Sequence, residues 1–301
     1  MSEVTVLMAT YNEKKEILLQ AIESIQNQTL KNFEFLIIID NPKNLEIIKE
    51  VKKKVKEDKR IRYIINEKNL GLAESLNIGI DNIQTKYIAR MDADDISCKD
   101  RLKTQLTYLK KNKTIDLVGC NITFINENGE KLYNRRTMLT LPAQIKRVMK
   151  YVNMINHPTL FGKTNVFKEM KYRNLKYAQD YDFMCRVLES NYQLGYINEY
   201  LLLYRVPNSV SNEKRIYQDV THYNVQKLYK KGNLVNSNSV KIVNDELKII
   251  NKDKMVYACI CHDKALKNIK LKKFVSGIIL LIKSAVFSKY HKKRFINLIK
   301  Y

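Results

Sequence analysis

Short apolar runs alternate with segments of helical periodicity along the N-terminal third of the chain. The runs have the length of buried strands, and the segments between them repeat apolar residues every three or four positions, as amphipathic helices do. This alternation is typical of βαβ units and predicts a parallel sheet covered by helices. The predicted strands are Val4–Ala9, Phe33–Ile39, Ile61–Ile65 and Tyr87–Met91, and the clearest helices are Ile17–Ile25 and Leu72–Ile83.

The pattern loosens in the middle of the chain and becomes helical toward the C-terminus. From about residue 211 onward the sequence is rich in Lys and Asn and poor in the helix-breaking residues Gly and Pro. The chain therefore divides into a predicted α/β domain over residues 1–210 and a helical, basic C-terminal region over residues 211–301. Between residue 95 and this boundary, the predicted elements are helices at 101–109 and after Pro142 and a strand at 117–125.

The last helical segment, Phe274–Phe287, is apolar and closely flanked by basic residues. It is too short to span a bilayer, which needs about 20 apolar residues, but it suits a helix that lies at a membrane surface. The region 270–293 is therefore a predicted membrane-surface anchor. The alternative is a helix that packs its apolar side on the catalytic domain.

The net charge narrows the choice of partners. Lys and Arg outnumber Asp and Glu by 54 to 31, which gives a formal charge of +23 and favours a polyanion, either nucleic acid or an anionic membrane. The positive excess is concentrated toward the C-terminal end, where the aromatic residues lack the repeated stacking pattern of single-strand-binding proteins. We therefore expect an anionic membrane surface as a partner and no nucleic acid.

Cysteine usage and the N-terminus indicate the compartment. The five cysteines are scattered and form no paired framework, as expected in a reducing environment. The chain starts directly with a strand-like run and has no signal-peptide pattern. Together with the predicted anchor, these features predict a cytoplasmic protein that is peripheral at the inner face of the cell membrane.

Three carboxylates, Asp92, Asp94 and Asp95, follow the apolar run that ends at Met91. Such a cluster at the open edge of a parallel sheet suits a divalent cation held against a diphosphate, because hard cations prefer oxygen ligands. Acidic clusters after strands are also common as turns and helix caps, so the motif alone leaves both roles open. Asp94 is the predicted metal ligand and Asp92 a metal or ribose contact, since alternate residues of an extended segment share one side. Asp95 is the less favoured ligand.

With its neighbours in the chain, this motif resembles the inverting nucleotide-sugar glycosyltransferases of family two. The matching residues extend from Val4 to about Ser211. The resemblance implies the GT-A fold, a Rossmann-like, mostly parallel central sheet flanked by helices, here with a helical C-terminal extension. The five landmarks, in order, are Val4–Glu13, Asn69–Ala73 with Asn77 and Gly79, Met91–Asp95, His157–Thr159, and Gln179–Asp182.

The resemblance also implies chemical roles. Inverting transfer needs a base that deprotonates the acceptor hydroxyl, and a cation, Mn²⁺ or Mg²⁺, that stabilises the departing nucleoside diphosphate. Asp180 is the implied base, at the start of a helix pattern over 181–188 whose dipole favours the ionised carboxylate, and a helix N-cap is its alternative role. The predicted donor contacts are Thr10, Asn12, Glu13, Asp40, Asn69, Asp92, His157 and Arg205.

Three of these donor contacts have structural alternatives. Asp40 is either an acceptor for the uracil N–H or part of a turn with the following Asn and Pro. His157 either meets the diphosphate or acceptor or is a satisfied structural histidine. Arg205 either reaches a phosphate with its planar guanidinium or holds the end of a strand.

The sequence as a whole predicts a metal-dependent inverting glycosyltransferase of bacterial surface polysaccharide synthesis, of the capsule, exopolysaccharide or O-antigen type. It would move a hexose or N-acetylhexosamine from a UDP-sugar to a glycan acceptor that is linked to a lipid diphosphate. The alternatives are a basic nucleic-acid-binding protein and a catalytically inactive scaffold. A nucleic-acid-binding module needs no ordered series of carboxylates at strand ends, and a scaffold needs none of Asp92, Asp94 and Asp180.

Overall fold

The computed structural model of the protein describes residues 2–137, 139–207, 211–248, 250–270 and 274–288. The chain groups into two compact units by its contacts. The first is Met1–Asn174 with Phe183–Asn208, and the second is Leu175–Asp182 with Ser209–Tyr301. The segment Leu175–Asp182, which the sequence pattern assigned to the α/β domain, thus groups with the C-terminal helices.

Among the described residues, a nine-stranded sheet organises the first unit. Its strand order is β3-β2-β1-β4-β8-β6-β9-β5, and β7 pairs with β6 outside this order. The strands are β1 (Val4–Thr10), β2 (Glu34–Ile39), β3 (Ile61–Ile65), β4 (Tyr87–Asp92), β5 (Ile96–Ser97), β6 (Leu117–Ile125), β7 (Lys131–Arg135), β8 (Phe161–Lys163) and β9 (Leu194–Arg205).

The first four strands are parallel, as the alternating pattern predicted. β1 pairs with β2 on one side and with β4 on the other, and β2 pairs with β3. The register places Ala9 opposite Asp92 and Thr10 opposite Ile39, so these strands end at one edge of the sheet. Open α/β sheets bind their ligands at this edge. The rest of the sheet is mixed, because β8 runs antiparallel to β4 and β6 whereas β6 and β9 are parallel.

The first unit also contains, among its described residues, a 3₁₀ helix at His157–Thr159 and seven α-helices, counting one that begins in the second unit. Three helices lie between the first four strands and complete the predicted βαβ units. The helices are α1 (Lys15–Gln26), α2 (Leu45–Glu57), α3 (Leu72–Asp81), α4 (Arg101–Lys111), α5 (Pro142–Met149), α6 (Thr164–Met170) and α7 (Gln179–Glu189).

Burial in the core explains why the strand sequences are continuous runs of apolar residues. Every residue of β1 is buried, and a strand covered on both faces needs apolar residues at successive positions rather than at alternate ones. Helix α1 packs with its predicted apolar face, burying Leu18, Ala21, Ile22 and Ile25. The conspicuous exception within the sheet is Arg90 in β4, which is charged and yet only 1% exposed.

The second unit is helical in its described parts, which confirms the predicted helical C-terminal extension. A small core of Ile216, Val220, Met255 and Cys259 joins its first and third long helices. The last helix has the bounds that the apolar segment predicted. Within the described residues, no helix is long and apolar enough to cross a membrane. The helices are α8 (Asn212–Lys230), α9 (Ser239–Lys248), α10 (Lys252–Lys270) and α11 (Phe274–Phe287).

Candidate active site

The carboxylates that follow β4 form one cluster. Asp92, Asp94 and Asp95 each place one carboxylate oxygen within 4.8 Å of the others. The strand ends at Asp92, and a turn at positions 93 and 94 separates it from β5, so Asp95 does not continue the extended segment. The alternation rule that disfavoured Asp95 holds for an extended segment and does not apply across this turn.

The three carboxylates differ in their surroundings. Asp94 is exposed, whereas Asp92 accepts a hydrogen bond from the Arg90 guanidinium. Asp95 is 1% exposed, and its Oδ1 accepts the backbone N–H of Arg205 at 2.8 Å. The cluster therefore combines one open carboxylate with two that the protein holds in place.

Crowding of the carboxylates changes their acidity. Loss of surrounding water, together with the negative charges of Asp92 and Glu13, raises the pKa of Asp94 to about 6, although its side chain remains open to solvent on one side. Burial raises the pKa of Asp95 well above its ordinary value, and the charges of Asp92 and Asp94 add to this effect. A divalent cation would relieve the repulsion, and a set of carboxylate oxygens fits the preference of Mg²⁺ or Mn²⁺.

Two buried arginines support the cluster, and the sequence reasoning gave neither a role in it. The Nε and Nη1 atoms of Arg90 have no hydrogen-bond partner among the described residues, so its bond to Asp92 is the main use of this guanidinium. Arg101 donates from Nη1 to the carbonyl oxygens of Arg90 and Pro158, at 3.0 and 2.8 Å. A basic residue inside an apolar strand, two positions before Asp92 and on the same face, was the signal that would have found Arg90.

The loop after β1 lies beside the carboxylate cluster and contains three of the predicted donor contacts. Thr10 donates its hydroxyl to Glu13 at 2.5 Å, and the backbone N–H of Tyr11 donates to the same carboxylate at 2.8 Å. Asn12 accepts a hydrogen bond from Asn41 at 2.7 Å. These bonds hold the loop in one conformation at the end of β1, next to the end of β4.

Asp40 connects the end of β2 to the loop before α3 by hydrogen bonds. Its carboxylate accepts hydrogen bonds from the Asn66 side chain and from the backbone N–H groups of Leu70 and Gly71, at 2.7, 2.8 and 2.8 Å. Asn69 accepts from the same Gly71 N–H at 3.0 Å. Gly71 has φ +83°, a conformation that favours glycine. A carboxylate has about four acceptor positions, so Asp40 retains about one, and its contact with the nucleobase stays a prediction.

His157 is held by a neighbouring tyrosine. Its Nε2 lies 2.8 Å from the hydroxyl of Tyr172, whose backbone N–H and carbonyl both bond to the Asn77 side chain at 2.8 Å. Burial, and secondarily the charge of Arg90, lower the pKa of His157 well below its ordinary value. His157 is therefore a neutral, anchored side chain, and its contact with diphosphate or acceptor stays a prediction.

Arg205, at the end of β9, is mostly engaged with the protein itself. Its Nε donates to the carbonyl oxygen of Asp94 at 2.7 Å, and its Nη1 donates to those of Asn126 and Glu127 at 3.1 and 2.6 Å. Its Nη2 donates to the Gln20 side chain at 2.8 Å. A guanidinium has five N–H groups, so about one is left for the predicted phosphate contact, which stays untested.

Asp180 lies in the second unit, in the first turn of α7. The helix begins at Gln179, one residue before Asp180, so the side chain occupies a helical position rather than the N-cap that was its alternative role. The residue before the helix, Ala178, has φ +54°, a left-handed conformation that few residues other than Gly, Asn and Asp adopt. Two positions on, Asp182 is fully buried.

Comparison with known proteins identifies the class of this protein as a glycosyltransferase. The chain belongs to glycosyl transferase family 2, whose family model matches residues 5–175. An uncharacterised glycosyltransferase of Methanocaldococcus jannaschii is 41% identical over 230 residues, which cover 75% of this chain and 76% of the relative. The O-antigen biosynthesis glycosyltransferase WbnJ of Escherichia coli is 31% identical over 238 residues, covering 77% and 91%.

Solved structures confirm the predicted GT-A fold. S. aureus TarS (residues 1–349) in complex with UDP-GlcNAc superposes with a TM-score of 0.61 at 14% identity, covering 99% of this chain and 89% of TarS. The mannosyltransferase PcManGT of Pyrobaculum calidifontis, in complex with GDP-Man and Mn²⁺, gives a TM-score of 0.60 at 15% identity, covering 94% and 86%. Sequence identity this low supports the shared fold and nothing finer.

Replacing Asp94 by Asn should stabilise the metal-free protein at neutral pH. Above about pH 6 the folded protein holds an ionised Asp94 against the charges of Asp92 and Glu13. As the pH falls through 6, the Asp94 carboxylate is protonated in the folded state before it is protonated in the unfolded state, because folding raises its pKa from 3.8 to about 6. The wild-type protein therefore regains the lost stability at lower pH. Since Asp94 is partly solvated, we expect a gain of about 1 kcal/mol or less.

Thermal unfolding in EDTA across about pH 4.5 to 8 measures this difference. Asp100→Asn, which changes an exposed carboxylate five positions after Asp95, is the control and should show no such pH-dependent gain. If the wild-type protein is as stable as Asp94→Asn at pH 8, the inferred repulsion between Asp94 and its charged neighbours is contradicted.

Proposed function

We propose that this family 2 enzyme is a metal-dependent inverting glycosyltransferase that moves a hexose or N-acetylhexosamine from a UDP-sugar to a glycan acceptor. The observation that carries the proposal is the cluster of Asp92, Asp94 and Asp95 at the binding edge of the sheet. The P. calidifontis neighbour, which has the same fold, is in complex with Mn²⁺. The cluster and its charge fit a divalent cation, Mn²⁺ or Mg²⁺.

The proposed nucleobase contact rests on Asp40, and the choice of UDP rests on one neighbour. Asp40 keeps about one acceptor position free beside the hydrogen bonds that hold the loop before α3. The ring N–H of uracil suits this position, and so does the ring N–H of guanine. TarS binds UDP-GlcNAc and PcManGT binds GDP-Man, so the GT-A fold by itself accommodates either nucleotide, and the proposal of UDP follows the TarS complex.

On the donor side, Asp92 and Asp94 would hold the cation, and the hydrogen bond from Arg90 would orient Asp92. When bound, the cation supplies positive charge that stabilises the departing nucleoside diphosphate. The ordered loop of Thr10, Asn12 and Glu13 would line the nucleotide pocket at the end of β1. These residues bind and orient the donor, so that its anomeric carbon is exposed to attack.

On the acceptor side, Asp180 would be the general base. It takes the proton of the acceptor hydroxyl while that oxygen attacks the anomeric carbon from the face opposite the diphosphate, which inverts the configuration. The first turn of α7 favours a negative charge, because the unpaired N–H groups of a helix start carry a partial positive charge. The start of the helix therefore favours the carboxylate form of Asp180, which is the form that accepts a proton.

The acceptor we propose is a lipid-diphosphate-linked glycan of bacterial surface polysaccharide synthesis, used at the inner face of the cell membrane. The E. coli relative acts in O-antigen biosynthesis by its name. Helix α11 exposes Ile278, Ile279 and Ile282 at 49, 49 and 50%, beside the exposed Lys283. Basic side chains near an anionic leaflet add about 1 kcal/mol each. The rest of the proposed anchor, at 271–273 and 289–293, lies outside the described residues.

Transfer should require a divalent cation. Purified full-length protein, a panel of UDP-sugars and GDP-sugars, Mn²⁺ and synthetic lipid-diphosphate acceptors should give product from a UDP-sugar. This product should disappear in excess EDTA and return with added Mn²⁺. Asp94→Ala should lower the rate by about 100-fold or more, because it removes a direct metal ligand, while Asp100→Asn retains activity. Full activity in excess EDTA would remove the metal role, and turnover of GDP-sugars alone would correct the donor.

Asp180→Asn should slow the chemical step by roughly 10²- to 10⁴-fold, because an amide cannot accept the hydroxyl proton. Binding of the UDP-sugar, measured by calorimetry, should stay close to wild type. Asp245→Asn, an exposed carboxylate on α9, is the control within the same unit. If Asp180→Asn turns over at the wild-type rate, the base lies elsewhere.

The protein should float with vesicles that contain anionic lipid, and salt should weaken this binding. Changing Ile278, Ile279 and Ile282 together to Ser should abolish flotation, since these side chains supply the apolar contact. Ile242→Ser, at an exposed position of α9, should leave it intact. A full-length protein that stays unbound at low salt would show that α11 serves another purpose.

A further inference from the structure

Asp95 has a carboxylate oxygen for which the protein supplies no partner. The residue is 1% exposed, and its Oδ1 accepts the Arg205 backbone N–H. Its Oδ2 is buried and has no hydrogen-bond partner within the described parts of the chain. A buried polar atom left without a partner is unfavourable by about 1–3 kcal/mol. The unpaired oxygen therefore indicates a ligand that the protein alone does not provide.

The Asp95 carboxylate is close enough to its neighbours to share an ion with them. One oxygen of each of Asp92, Asp94 and Asp95 lies within 4.8 Å of the other two. Ligand oxygens around one Mg²⁺ or Ca²⁺ ion stand about 3 to 5 Å apart, since each lies about 2.0–2.6 Å from the metal. The spacing of the three carboxylates thus matches a single coordination sphere.

The other two carboxylates leave room for a third ligand. Arg90 binds one oxygen of Asp92, so Asp92 is set up to ligate with its remaining oxygen. Asp94 is at the exposed side of the cluster, while Asp95 lies on its buried side. Arg205 bonds to the carbonyl of Asp94 and, through its own N–H, to Asp95, which fixes the turn between these two residues.

We propose that Asp95 is a third carboxylate ligand of the divalent cation, together with Asp92 and Asp94. The inference rests on the metal dependence in the proposed function and adds a residue to that site. Three protein oxygens would leave the remaining coordination positions of the ion to the diphosphate and water. Arg205 is then a positioning residue, because its backbone N–H orients the Asp95 carboxylate.

The competing role for Asp95 is purely structural, as the acceptor for the Arg205 N–H. Asp95→Asn separates the two roles, because the amide keeps the size of the side chain and an oxygen that accepts this N–H. It also replaces the second carboxylate oxygen by an NH₂ group, which does not bind hard cations. A structural Asp95 tolerates this change without loss of metal, and a ligand does not.

The test is Mn²⁺ binding to the full-length protein, followed by the electron paramagnetic resonance signal of the free ion, with and without UDP. We expect Asp95→Asn to raise the Kd for Mn²⁺ by about 10-fold or more, with unfolding in EDTA no less cooperative than in wild type. Asp100→Asn should leave the Kd unchanged. Luminescence decay of Eu³⁺ in H₂O and D₂O should show an additional bound water in Asp95→Asn.

Three outcomes overturn the proposal. The first is wild-type Mn²⁺ affinity in Asp95→Asn while Asp94→Asn loses the ion, a result that leaves metal-dependent transfer standing. The second outcome concerns Asp95→Ser, which replaces Asp95→Asn in the measurement if the Asn variant fails to fold. Wild-type Mn²⁺ affinity in Asp95→Ser excludes Asp95 as a metal ligand. The third is a wild-type protein that binds no Mn²⁺ with or without UDP, which would contradict metal dependence. Sugar transfer by that protein would still support the transferase assignment.

Discussion

Electrostatic repulsion at the end of β4 is the constraint to which the first unit is adapted. Three carboxylates share a space in which their oxygens lie within 4.8 Å of one another, and Glu13 adds a fourth negative charge that acts on Asp94. Like charges so close together in a partly dry site are unfavourable unless something compensates them. The turn after β4 gathers the three aspartates, and the parallel pairing of β1 with β4 adds Glu13, because it brings the ends of both strands to the same edge.

Three buried arginines answer this constraint in different ways. Arg90 binds a carboxylate of the cluster directly. The other two arginines donate to backbone carbonyls. Arg101 donates to those of Arg90 and Pro158, and Arg205 donates to those of Asp94 and the β6–β7 turn. Their positive charges lie close to the cluster while their hydrogen bonds hold its backbone. The carboxylates therefore keep their geometry and remain available for a cation.

The grouping of the chain gives the second unit a definite place in the proposed chemistry. The segment that contains Asp180 belongs to the same unit as helices α8 to α11, and Tyr181 stacks on His222 of α8 at 4.0 Å between ring centroids. The proposed base and the helix with the exposed isoleucines thus belong to one structural unit. Under the proposed function, this unit would serve the acceptor and the membrane, while the sheet would serve the nucleotide.

The local pattern of apolar residues and short motifs along the chain determined much of the fold and the family of this protein. The strands β1 to β4 and the helix α11 follow from apolar runs, because buried elements need a continuous or periodic apolar face, and the order of short motifs was enough to identify the family. Tertiary structure alone decided the partners of the polar residues. The turn after Asp92 brings Asp95 into the cluster, Arg90 becomes buried, and Arg205 bonds to Gln20, 185 positions away. Such contacts depend on how distant segments close on each other, and the spacing of residues along one segment does not encode that.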